Sequence, residues 1–564
     1  MKGFLPTTKE ELDAAGIDRL DVIIVSGDVY IDSYYDGAAV IGRVLQDAGY
    51  SVGIISQPSL DSDADISRLG EPKLFWGISA GLVDSMVANY TSLKKKKRYD
   101  DLTPTEHIHR RPDRATIIYT NLIKKYFKSR KPIILGGVEA SLRRIAHYDY
   151  WSDNVRRSVL LDSKADAIAY GMAEKTILEI ASRIKNNQDY SDIRGLCYIA
   201  NNKIDEYIEL PSYEEVKSDK YKFIEMFHHF YQNNDPLNAK GLCQKHGNRW
   251  LIQNPPQYGP SVEELDYYHS LPYKRDVHPY YIQFGKVKAL ETIRFSVNTH
   301  RGCYGECNFC AITMHQGRTI YSRSEKSIIA DIEAMKKMSK FRGIVTDLGG
   351  PTANMYGNKC KKQLTSGSCK DKRCASPDIC PVMKIDHSRQ VKLLQKTRKI
   401  ESIRKVFVGS GVRYDLVIAD EKAGREYFVE LVKEHVSGQM KIAPEHTEEK
   451  VLEYMGKPSK KYLKKFINDF YKYSKRAGKK QFLTYYFIAA HPGCNMNDMN
   501  SLKGFIKNEL KFNPEQVQVF NPTPSTYSTV MYYTELNPWT LEKIFVEKKL
   551  KKKAEQKNLI TGKR

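Results

Sequence analysis

The chain has 564 residues, 41% of them hydrophobic, and a formal net charge of +23. This length predicts more than one hydrophobic core, and ten cysteines are too sparse for a secreted disulfide scaffold. Residues 1–20 lack the apolar stretch of a signal peptide, and no segment has the length and apolarity of a membrane span. We therefore expect a cytoplasmic protein that does not enter a membrane.

Part of the positive charge is concentrated in two runs, 94–98 and 548–564. Runs of this kind are usually solvated surface or disordered segments. The charge is also compatible with nucleic acid or an acidic redox protein as a partner. Charge alone does not choose between these partners and the absence of any specific one.

The first 200 residues alternate apolar runs with helical patterns. We predict an amphipathic helix at 38–48 and strands at 21–26, 51–56, 73–79, 132–135 and 165–170. This alternation is typical of a parallel, doubly wound sheet, which binds ligands at the carboxyl ends of its strands. It predicts an α/β N-terminal Rossmann-like domain at 1–200. Residues 201–285 lose the alternation and predict a packed connecting segment.

A second alternating series follows the connecting segment. We predict strands at 293–297, 343–347, 405–409, 439–442, 482–488 and 516–520. A helix with Ser324 as its N-cap separates the first two strands. Six strands with intervening helices predict a partial (β/α)6 TIM-like barrel at 286–540, followed by a basic C-terminal tail at 541–564. In such barrels the chemistry lies in the loops that follow the strands.

The sequence RGCYGECNFC at 301–310 directly follows the first predicted barrel strand. It spaces Cys303, Cys307 and Cys310 as C-x3-C-x2-C. Three thiolates on a tight loop suit three irons of a 4Fe–4S cubane, and the fourth iron is left open to a chelating cofactor. Zinc is the alternative, but a structural zinc site normally has four protein ligands.

These residues resemble the signature of the radical S-adenosylmethionine (SAM) superfamily, C-x3-C-x-aromatic-C, with Phe309 at the aromatic position. The resemblance implies that the three cysteines hold a 4Fe–4S cluster whose fourth iron is chelated by SAM. It also implies reductive cleavage of SAM to a 5′-deoxyadenosyl radical, which abstracts hydrogen from a substrate. A flavodoxin- or ferredoxin-type protein is the expected electron donor.

Further segments make the resemblance specific to one family within the superfamily. They are 315–318 (HQGR), 347–354 (DLGGPTAN), 409–414 (GSGVRY), 441–447 (KIAPEHT), 490–493 (AHPG) and 531–534 (MYYT). Together they resemble the uncharacterised YgiQ-type family of radical SAM proteins over most of the chain. The family resemblance identifies no substrate. The alternatives to an enzyme of unknown substrate are a tRNA-modifying methylthiotransferase or methyltransferase and a non-catalytic iron–sulfur electron carrier.

The resemblance also implies a SAM site on the barrel rim. Gly349, Gly350 and Thr352 take the place of the glycine-rich edge that holds the amino group of SAM, although the usual Gly-Gly-Glu is here Gly-Gly-Pro-Thr. Ser410 and Arg413 are expected to meet the ribose or the carboxylate, and Glu445 the ribose. His491 to Gly493 are expected to shape the adenine edge. An ordinary polar barrel rim is the alternative for each of these residues.

A second group of cysteines lies in a polar, lysine-rich segment. Its members are Cys360, Cys369, Cys374 and Cys380. Four thiols can close a site made wholly of cysteine, so we expect either an auxiliary 4Fe–4S cluster or structural zinc, with free thiols as the third alternative.

The N-terminal sheet resembles the cobalamin-binding domain that precedes the barrel in many radical SAM enzymes. The signature of that domain is D-x-H-x-x-G, and the matching residues here are 32–37, DSYYDG. Tyr34 therefore stands where the cobalt-ligating histidine belongs. A phenol stays protonated near neutral pH and is a poor substitute, so we do not expect tight cobalamin binding.

Overall fold

The computed structural model describes residues 3–107, 110–128, 131–512 and 514–562. The chain forms two compact units. The first unit comprises Met1–Gly259 and Tyr267–Arg294, and the second comprises Pro260–Asp266 and Phe295–Arg564. Among the described helices, none has both the length and the apolarity that a bilayer crossing requires.

A mixed sheet forms the centre of the first unit. Its strands, with the separate pair β5 and β6, are β1 (Val22–Ser26), β2 (Val52–Ser56), β3 (Phe75–Ser79), β4 (Ile133–Gly136), β5 (His147–Asp149), β6 (Asn154–Arg156), β7 (Ala167–Ala169), β8 (Leu196–Ala200), β9 (Ile208–Leu210), β10 (Leu242–His246) and β11 (Arg249–Gln253). The order across the sheet is β2-β1-β3-β4-β7-β8-β11-β10-β9. The first five strands in this order are parallel to one another. The pairs β7–β8, β8–β11 and β11–β10 are antiparallel, and β10 pairs with β9 in parallel.

Helices pack on this sheet because its parallel strands are apolar along their whole length. The buried core includes Val22, Ile24, Ile54 and Phe75. Such continuous apolar runs are typical of parallel strands covered on both faces. The helices up to Arg294 are α1 (Lys9–Ala14), α2 (Gly37–Asp47), α3 (Ala64–Ser67), α4 (Ser85–Asn89), α5 (Ala115–Tyr126), α6 (Gly137–Leu142), α7 (Val159–Ser163), α8 (Glu174–Lys185), α9 (Tyr213–Ser218), α10 (Lys220–Gln232), α11 (Val262–Ser270), α12 (Pro279–Ile282) and α13 (Leu290–Ile293). The five predicted parallel strands and the helix at 38–48 are confirmed within one or two residues.

The expected connecting segment at 201–285 is not a separate element. It supplies β9, β10 and β11 to the sheet, and its end packs into the same core through Val277 and Tyr281. The hydroxyl of Tyr281 accepts a hydrogen bond from the backbone N–H of Ser56 at 2.7 Å. The sequence pattern did not reveal these strands because they carry polar side chains, such as Gln244, Lys245 and Arg249, and so form no continuous apolar run.

The second unit contains a series of parallel strands. Its strands are β12 (Ser296–Asn298), β13 (His300–Arg301), β14 (Tyr321–Ser322), β15 (Ile344–Val345), β16 (Asp347–Gly349), β17 (Lys405–Val406), β18 (Gln439–Glu445), β19 (Phe482–Ala489) and β20 (Val517–Val519). Parallel pairing joins β12 to β16, β15 to β17, β18 to β19 and β19 to β20. A parallel bridge between Val412 and Ile442 connects the segment after β17 to β18. Each of the six predicted barrel strands overlaps an observed strand, in the predicted order. The first begins at Ser296 rather than at residue 293, which ends helix α13, and the third covers only Lys405–Val406.

Helices follow these strands as the alternation predicts. They are α14 (Ile312–Gln316), α15 (Glu325–Lys336), α16 (Lys361–Ser366), α17 (Ser388–Thr397), α18 (Tyr414–Ala419), α19 (Gly424–Glu430), α20 (Glu449–Met455), α21 (Lys460–Arg476), α22 (Met496–Phe505), α23 (Tyr527–Thr534) and α24 (Leu550–Thr561). Ser324 caps α15 by accepting from the N–H of Ser327, as predicted. The structure is therefore an α/β protein with a doubly wound N-terminal domain followed by a partial barrel.

The two basic runs are more ordered than their composition suggests. Lys94 lies over the ring of Tyr150, and Lys97 donates to the carbonyl of Val87 at 2.8 Å. The expected C-terminal tail contains helix α24, in which Lys553 and Gln556 are buried. The Lys553 side chain can be buried because its ammonium group donates a hydrogen bond to the Tyr532 hydroxyl at 2.8 Å. The C-terminal segment therefore completes the second unit.

Candidate functional site

The loop 302–310 carries the three motif cysteines and is held by backbone hydrogen bonds from several directions. The N–H of Cys303 donates to the carbonyl of Gly317 at 3.2 Å. The N–H of Asn308 donates to Met455 at 2.8 Å, and its carbonyl accepts from Ser528 at 2.9 Å. The loop is thus fixed by three separate parts of the second unit, as predicted for a site after the first barrel strand.

The three motif cysteines are half-buried. Cys303 Sγ is 3.6 Å from the hydroxyl of Thr352 and accepts from the N–H of Gly305 at 3.4 Å. Burial, with Cys307 and Cys303 nearby, raises the pKa of Cys310 to about 12. Burial and then Cys307 also raise the pKa of Cys303. Without a ligand the thiols of Cys303 and Cys310 are protonated at neutral pH, and metal binding must release their protons.

Arg413 places a positive charge beside this loop. A Cβ on Gly305 would overlap Nη1 of Arg413, and would stand 3.3 Å from Cys303 Sγ. A side chain at residue 305 would therefore require the guanidinium to shift away from the loop. The positive charge offsets the negative charge of thiolates that hold a metal cluster.

The donor set fits a 4Fe–4S cluster with one open iron. In the part of the chain that the structure describes, no three His, Cys, Asp or Glu side chains converge as the ligands of a single ion do. The ligands of a cubane bind separate irons and so stand further apart. Three thiols on a buried loop, beside a cation and without a fourth cysteine in the motif, are compatible with this geometry.

The predicted glycine-rich edge lies against the residues that precede the cysteine loop. The carbonyl of Gly349 accepts from the N–H of Thr299 at 2.6 Å. A Cβ on Gly350 would overlap the ring of His300, so glycine is required there. Thr352 reaches Cys303, as noted above. The structure thus brings Gly349, Gly350 and Thr352 to the cysteine loop.

Asp347 is a site residue that the sequence analysis missed. One oxygen of its carboxylate accepts from the N–H groups of Gly409 at 2.8 Å and Ser410 at 3.1 Å, and the other accepts from the Ser410 hydroxyl. Burial raises the pKa of Asp347. The sequence feature that could have identified Asp347 is its position as a carboxylate at the carboxyl end of a predicted strand. Asp347 fixes Ser410, so the hydroxyl proton of Ser410 is already committed to a protein partner.

Glu445 ends β18 in an unusual backbone conformation. Its φ is +66°, in the left-handed region that disfavours residues with a side chain. Its side chain is buried, and burial raises its pKa to about 7, although Lys457 opposes the shift. Cys310 lies near enough for the Glu445 charge to act on its thiol. Strain of this kind is concentrated at functional sites.

Two buried histidines lie near Phe309 and Cys494. The rings of Phe309 and His491 meet edge to face, with centroids 6.3 Å apart. His491 Nε2 pairs with the Ser528 hydroxyl at 2.7 Å, and its Nδ1 lies 2.8 Å from the carbonyl of Pro492. His446 Nε2 is 3.6 Å from Cys494 Sγ. Burial lowers the pKa of each histidine to about 3, so both are neutral at physiological pH.

The second cysteine group lies beside the first. Cys360, Cys374 and Cys380 pack in one small apolar cluster with Cys303 and with Tyr304. Burial, then Glu306 and Cys360, raises the pKa of Cys374 to about 12. Cys369 is not part of this cluster, although its carbonyl accepts from Arg318 at 3.1 Å. The structure therefore brings three of the four predicted ligands together.

Arg318 and Arg373 join the two cysteine segments, and the sequence analysis assigned neither. Arg318 pairs with the carboxylate of Glu306 at 3.0 Å. Arg373 donates to the carbonyl of Glu306 at 3.2 Å and to the side-chain oxygen of Asn308 at 2.6 Å. Both arginines therefore stabilise the conformation of the cysteine loop.

In the first unit, the loops after β1 and β3 meet at the switch point of the sheet, where such folds usually bind ligands. The N–H of Leu82 donates to Asp28 at 2.6 Å, and Arg111 pairs with the same buried carboxylate. Tyr34, in place of the histidine, is buried; its hydroxyl accepts from Arg275 at 2.8 Å, and its ring packs on His269. Side chains of the unit itself occupy this edge.

Comparisons with protein families and sequences show which proteins this chain resembles. A family model described as Radical SAM N-terminal matches residues 4–296, and one described as a domain of unknown function, DUF3362, matches residues 515–563. The UPF0313 protein of Fusobacterium nucleatum is 54% identical, covering 100% of this chain and 99% of that protein. The UPF0313 protein of Methanocella arvoryzae is 46% identical, with 97% and 91% covered.

Among solved structures, the radical SAM methyltransferase TsrM from Kitasatospora setae, with its tryptophan substrate and a SAM analogue bound, gives a TM-score of 0.51 at 12% identity. It covers 95% of this chain and 82% of that chain. A second TsrM structure, with cobalamin and a [4Fe-4S] cluster bound, gives a TM-score of 0.49. At this identity the first likeness supports the fold alone. The full-length relatives and the family model show that the chain belongs to the UPF0313 family, the YgiQ-type family of radical SAM proteins.

Proposed function

We propose that the protein is a radical SAM enzyme that abstracts hydrogen from a substrate not yet identified. The observation that carries the proposal is the buried loop after the first barrel strand, on which Cys303, Cys307 and Cys310 lie beside a fixed cation. The cluster, when bound, supplies the electron that cleaves SAM to methionine and a 5′-deoxyadenosyl radical. The chain binds and orients the cofactor and excludes water from it.

The residues around the loop have distinct roles in this proposal. Gly349, Gly350 and Thr352 hold the amino group of SAM, and Arg413 its carboxylate, because the guanidinium already lies against the loop. Ser410 is oriented by Asp347 and meets the ribose through its oxygen lone pairs. Glu445 accepts a ribose hydroxyl, and Phe309 with His491 forms the edge for adenine.

The second cysteine group holds an auxiliary 4Fe–4S cluster in this proposal. Support comes from Cys360, Cys374 and Cys380, which lie together in the small cluster that includes Cys303. Cys369 is the remaining candidate ligand. Structural zinc is the alternative, and metal analysis separates the two because zinc and iron–sulfur sites differ in metal and sulfide content.

The first unit does not bind cobalamin tightly in this proposal. Support comes from Tyr34, whose hydroxyl and ring are both engaged, and from Asp28 and Arg111, which pair at the edge where a ligand would enter. Titration of purified protein with hydroxocobalamin tests this. Stoichiometric binding at micromolar concentrations would contradict it and would favour methyl transfer.

Two other functions remain as alternatives. The charge of +23 is compatible with a tRNA-modifying methylthiotransferase or methyltransferase, and salt-sensitive RNA binding would support it. A non-catalytic electron carrier would hold the cluster without cleaving SAM.

The ten free cysteines suit a reducing, cytoplasmic location.

Electron paramagnetic resonance tests the proposal directly. Anaerobically reconstituted protein, once reduced, is expected to give a 4Fe–4S signal that shifts on addition of SAM. The triple Cys303→Ala, Cys307→Ala, Cys310→Ala variant is expected to lose that shift. Persistence of the shift in the triple variant would contradict the assignment of these cysteines.

A further inference from the structure

The segment 359–384, which carries the second cysteine group, also forms a basic surface. Its exposed lysines are Lys359, Lys361, Lys362, Lys370, Lys372 and Lys384. With Arg373 the segment has seven positive side chains, and it has two acidic ones, Asp371 and Asp378. Between the lysines two large apolar side chains are exposed, Leu364 at 45% and Val382 at 53%. We name residues 359–384 the basic cysteine-loop surface.

This surface belongs to the same segment that contacts the cluster-binding loop. Arg373 bonds the loop at Glu306 and Asn308, and Arg318 bonds the carbonyl of Cys369. Cys360, Cys374 and Cys380 pack with Cys303. A protein bound at the basic cysteine-loop surface would therefore contact the same segment that packs against the cluster ligands.

The six lysines of the surface carry positive charge that no ion pair neutralises among the described residues, as do other exposed lysines of the second unit such as Lys551 and Lys552. By contrast, Lys396, Lys422 and Lys461 each pair with a carboxylate, those of Glu325, Asp386 and Asp378. A segment with unpaired positive charge and two exposed apolar side chains suits a transient, charge-steered complex, and electron-transfer complexes characteristically have small interfaces.

We propose that the basic cysteine-loop surface is the docking site for an acidic one-electron donor protein with a flavin or iron–sulfur centre. The proposal rests on the proposed function, since only a cluster that is reduced repeatedly needs such a donor. One electron passes from the reduced donor to the cluster, so the donor is oxidised by one electron and the cluster is reduced by one. No bond is formed between the two proteins.

The test uses charge reversal at two positions of the surface. The variant Lys370→Glu, Lys372→Glu is compared with Lys551→Glu, Lys552→Glu, which makes the same charge change at exposed positions of α24. Reduction of the reconstituted cluster is followed as loss of its visible absorbance, with reduced flavodoxin or with excess dithionite as the electron source. This readout requires neither SAM nor a substrate.

With flavodoxin, the first variant is expected to be reduced at least about tenfold more slowly than wild type, the lower end of the range for electrostatic steering. The α24 variant is expected to react at the wild-type rate, and added salt is expected to slow the wild type. With dithionite all three proteins are expected to react alike. Equal rates of both variants with flavodoxin would overturn the docking site.

Two further results separate this proposal from others. If dithionite-reduced wild type forms no 5′-deoxyadenosine from SAM, the proposed function fails, while the flavodoxin rates still decide the docking site. If the Lys370→Glu, Lys372→Glu variant loses RNA binding and keeps the wild-type reduction rate, the surface binds RNA and the donor proposal is wrong.

Discussion

The guanidinium of Arg413 is held by the carboxylate of Asp415, with Nη2 to Oδ2 at 2.5 Å and Nε to Oδ1 at 3.1 Å. Both side chains are buried. Because Arg413 also lies against the cysteine loop, this ion pair fixes a positive charge beside the cluster ligands. A buried pair is costly to break, since removal of one partner leaves the other charge uncompensated.

Asp415→Ala is therefore expected to lower the free energy of unfolding by about 3–5 kcal/mol. Denaturant unfolding of the ligand-free protein measures the change. Glu421→Ala, at an exposed position nearby, is the matched control and is expected to have little effect. Equal stability of the two variants would show that the Arg413–Asp415 pair has no structural role.

Gly305→Ala is expected to reduce cluster binding, because the added methyl group overlaps the anchored guanidinium of Arg413. Gly411→Ala is the control, since a Cβ there meets nothing within 4 Å. Iron and sulfide analysis after anaerobic reconstitution measures the difference. Full iron content in Gly305→Ala would contradict the close approach of Arg413 to the loop.

The pH dependence of stability is expected to report on Glu445. Burial raises its pKa to about 7 from the ordinary 4.5, so the folded protein binds this proton more tightly than the unfolded chain. The free energy of unfolding therefore falls as pH rises through this window, by about 3 kcal/mol from this group. Glu445→Gln removes the charge and keeps the shape.

This variant is expected to be more stable than wild type at about pH 8.5 and close to wild type at about pH 4.5, in denaturant unfolding of ligand-free protein. Glu453→Gln, at an exposed position of α20, is expected to show no such dependence. An equal difference at both pH values would contradict the raised pKa.

Metal content distinguishes one cluster from two. Wild-type protein is expected to bind about eight irons, and the triple variant of Cys303, Cys307 and Cys310 about four. Cys374→Ala is expected to lose about four irons as well, whereas Cys243→Ala, a buried cysteine of β10, is expected to lose none. About four irons with stoichiometric zinc in wild type would instead support a structural zinc site.

The C-terminal helix is expected to stabilise the barrel through Gln556. The side-chain oxygen of Gln556 accepts from the N–H of Ala490 at 2.9 Å in a buried position. Gln556→Ala is expected to cost about 1–3 kcal/mol, because it leaves that N–H without its partner. Glu555→Ala, exposed on the same helix, is the control in thermal or denaturant unfolding; equal effects would contradict the role of α24.

Much of the fold was predictable, because parallel strands such as β1 and β19 are strongly apolar and hydrophobic patterning reports burial. Strands β9 to β11 were missed because they are partly polar and form no continuous apolar run. The position of the cysteine loop was predictable from the cysteine spacing together with the apolar strand that precedes it. Residues that act through distant contacts, such as Arg373 and Asp347, were not, because no local pattern shows which residues a fold brings together.

The most direct test of the account is formation of 5′-deoxyadenosine from SAM by the anaerobically reconstituted, dithionite-reduced protein, measured by mass spectrometry. Wild type is expected to form it, and the triple Cys303→Ala, Cys307→Ala, Cys310→Ala variant is not. A wild-type protein that holds its full 4Fe–4S content, becomes reduced and still forms no 5′-deoxyadenosine would contradict the account and favour an electron carrier.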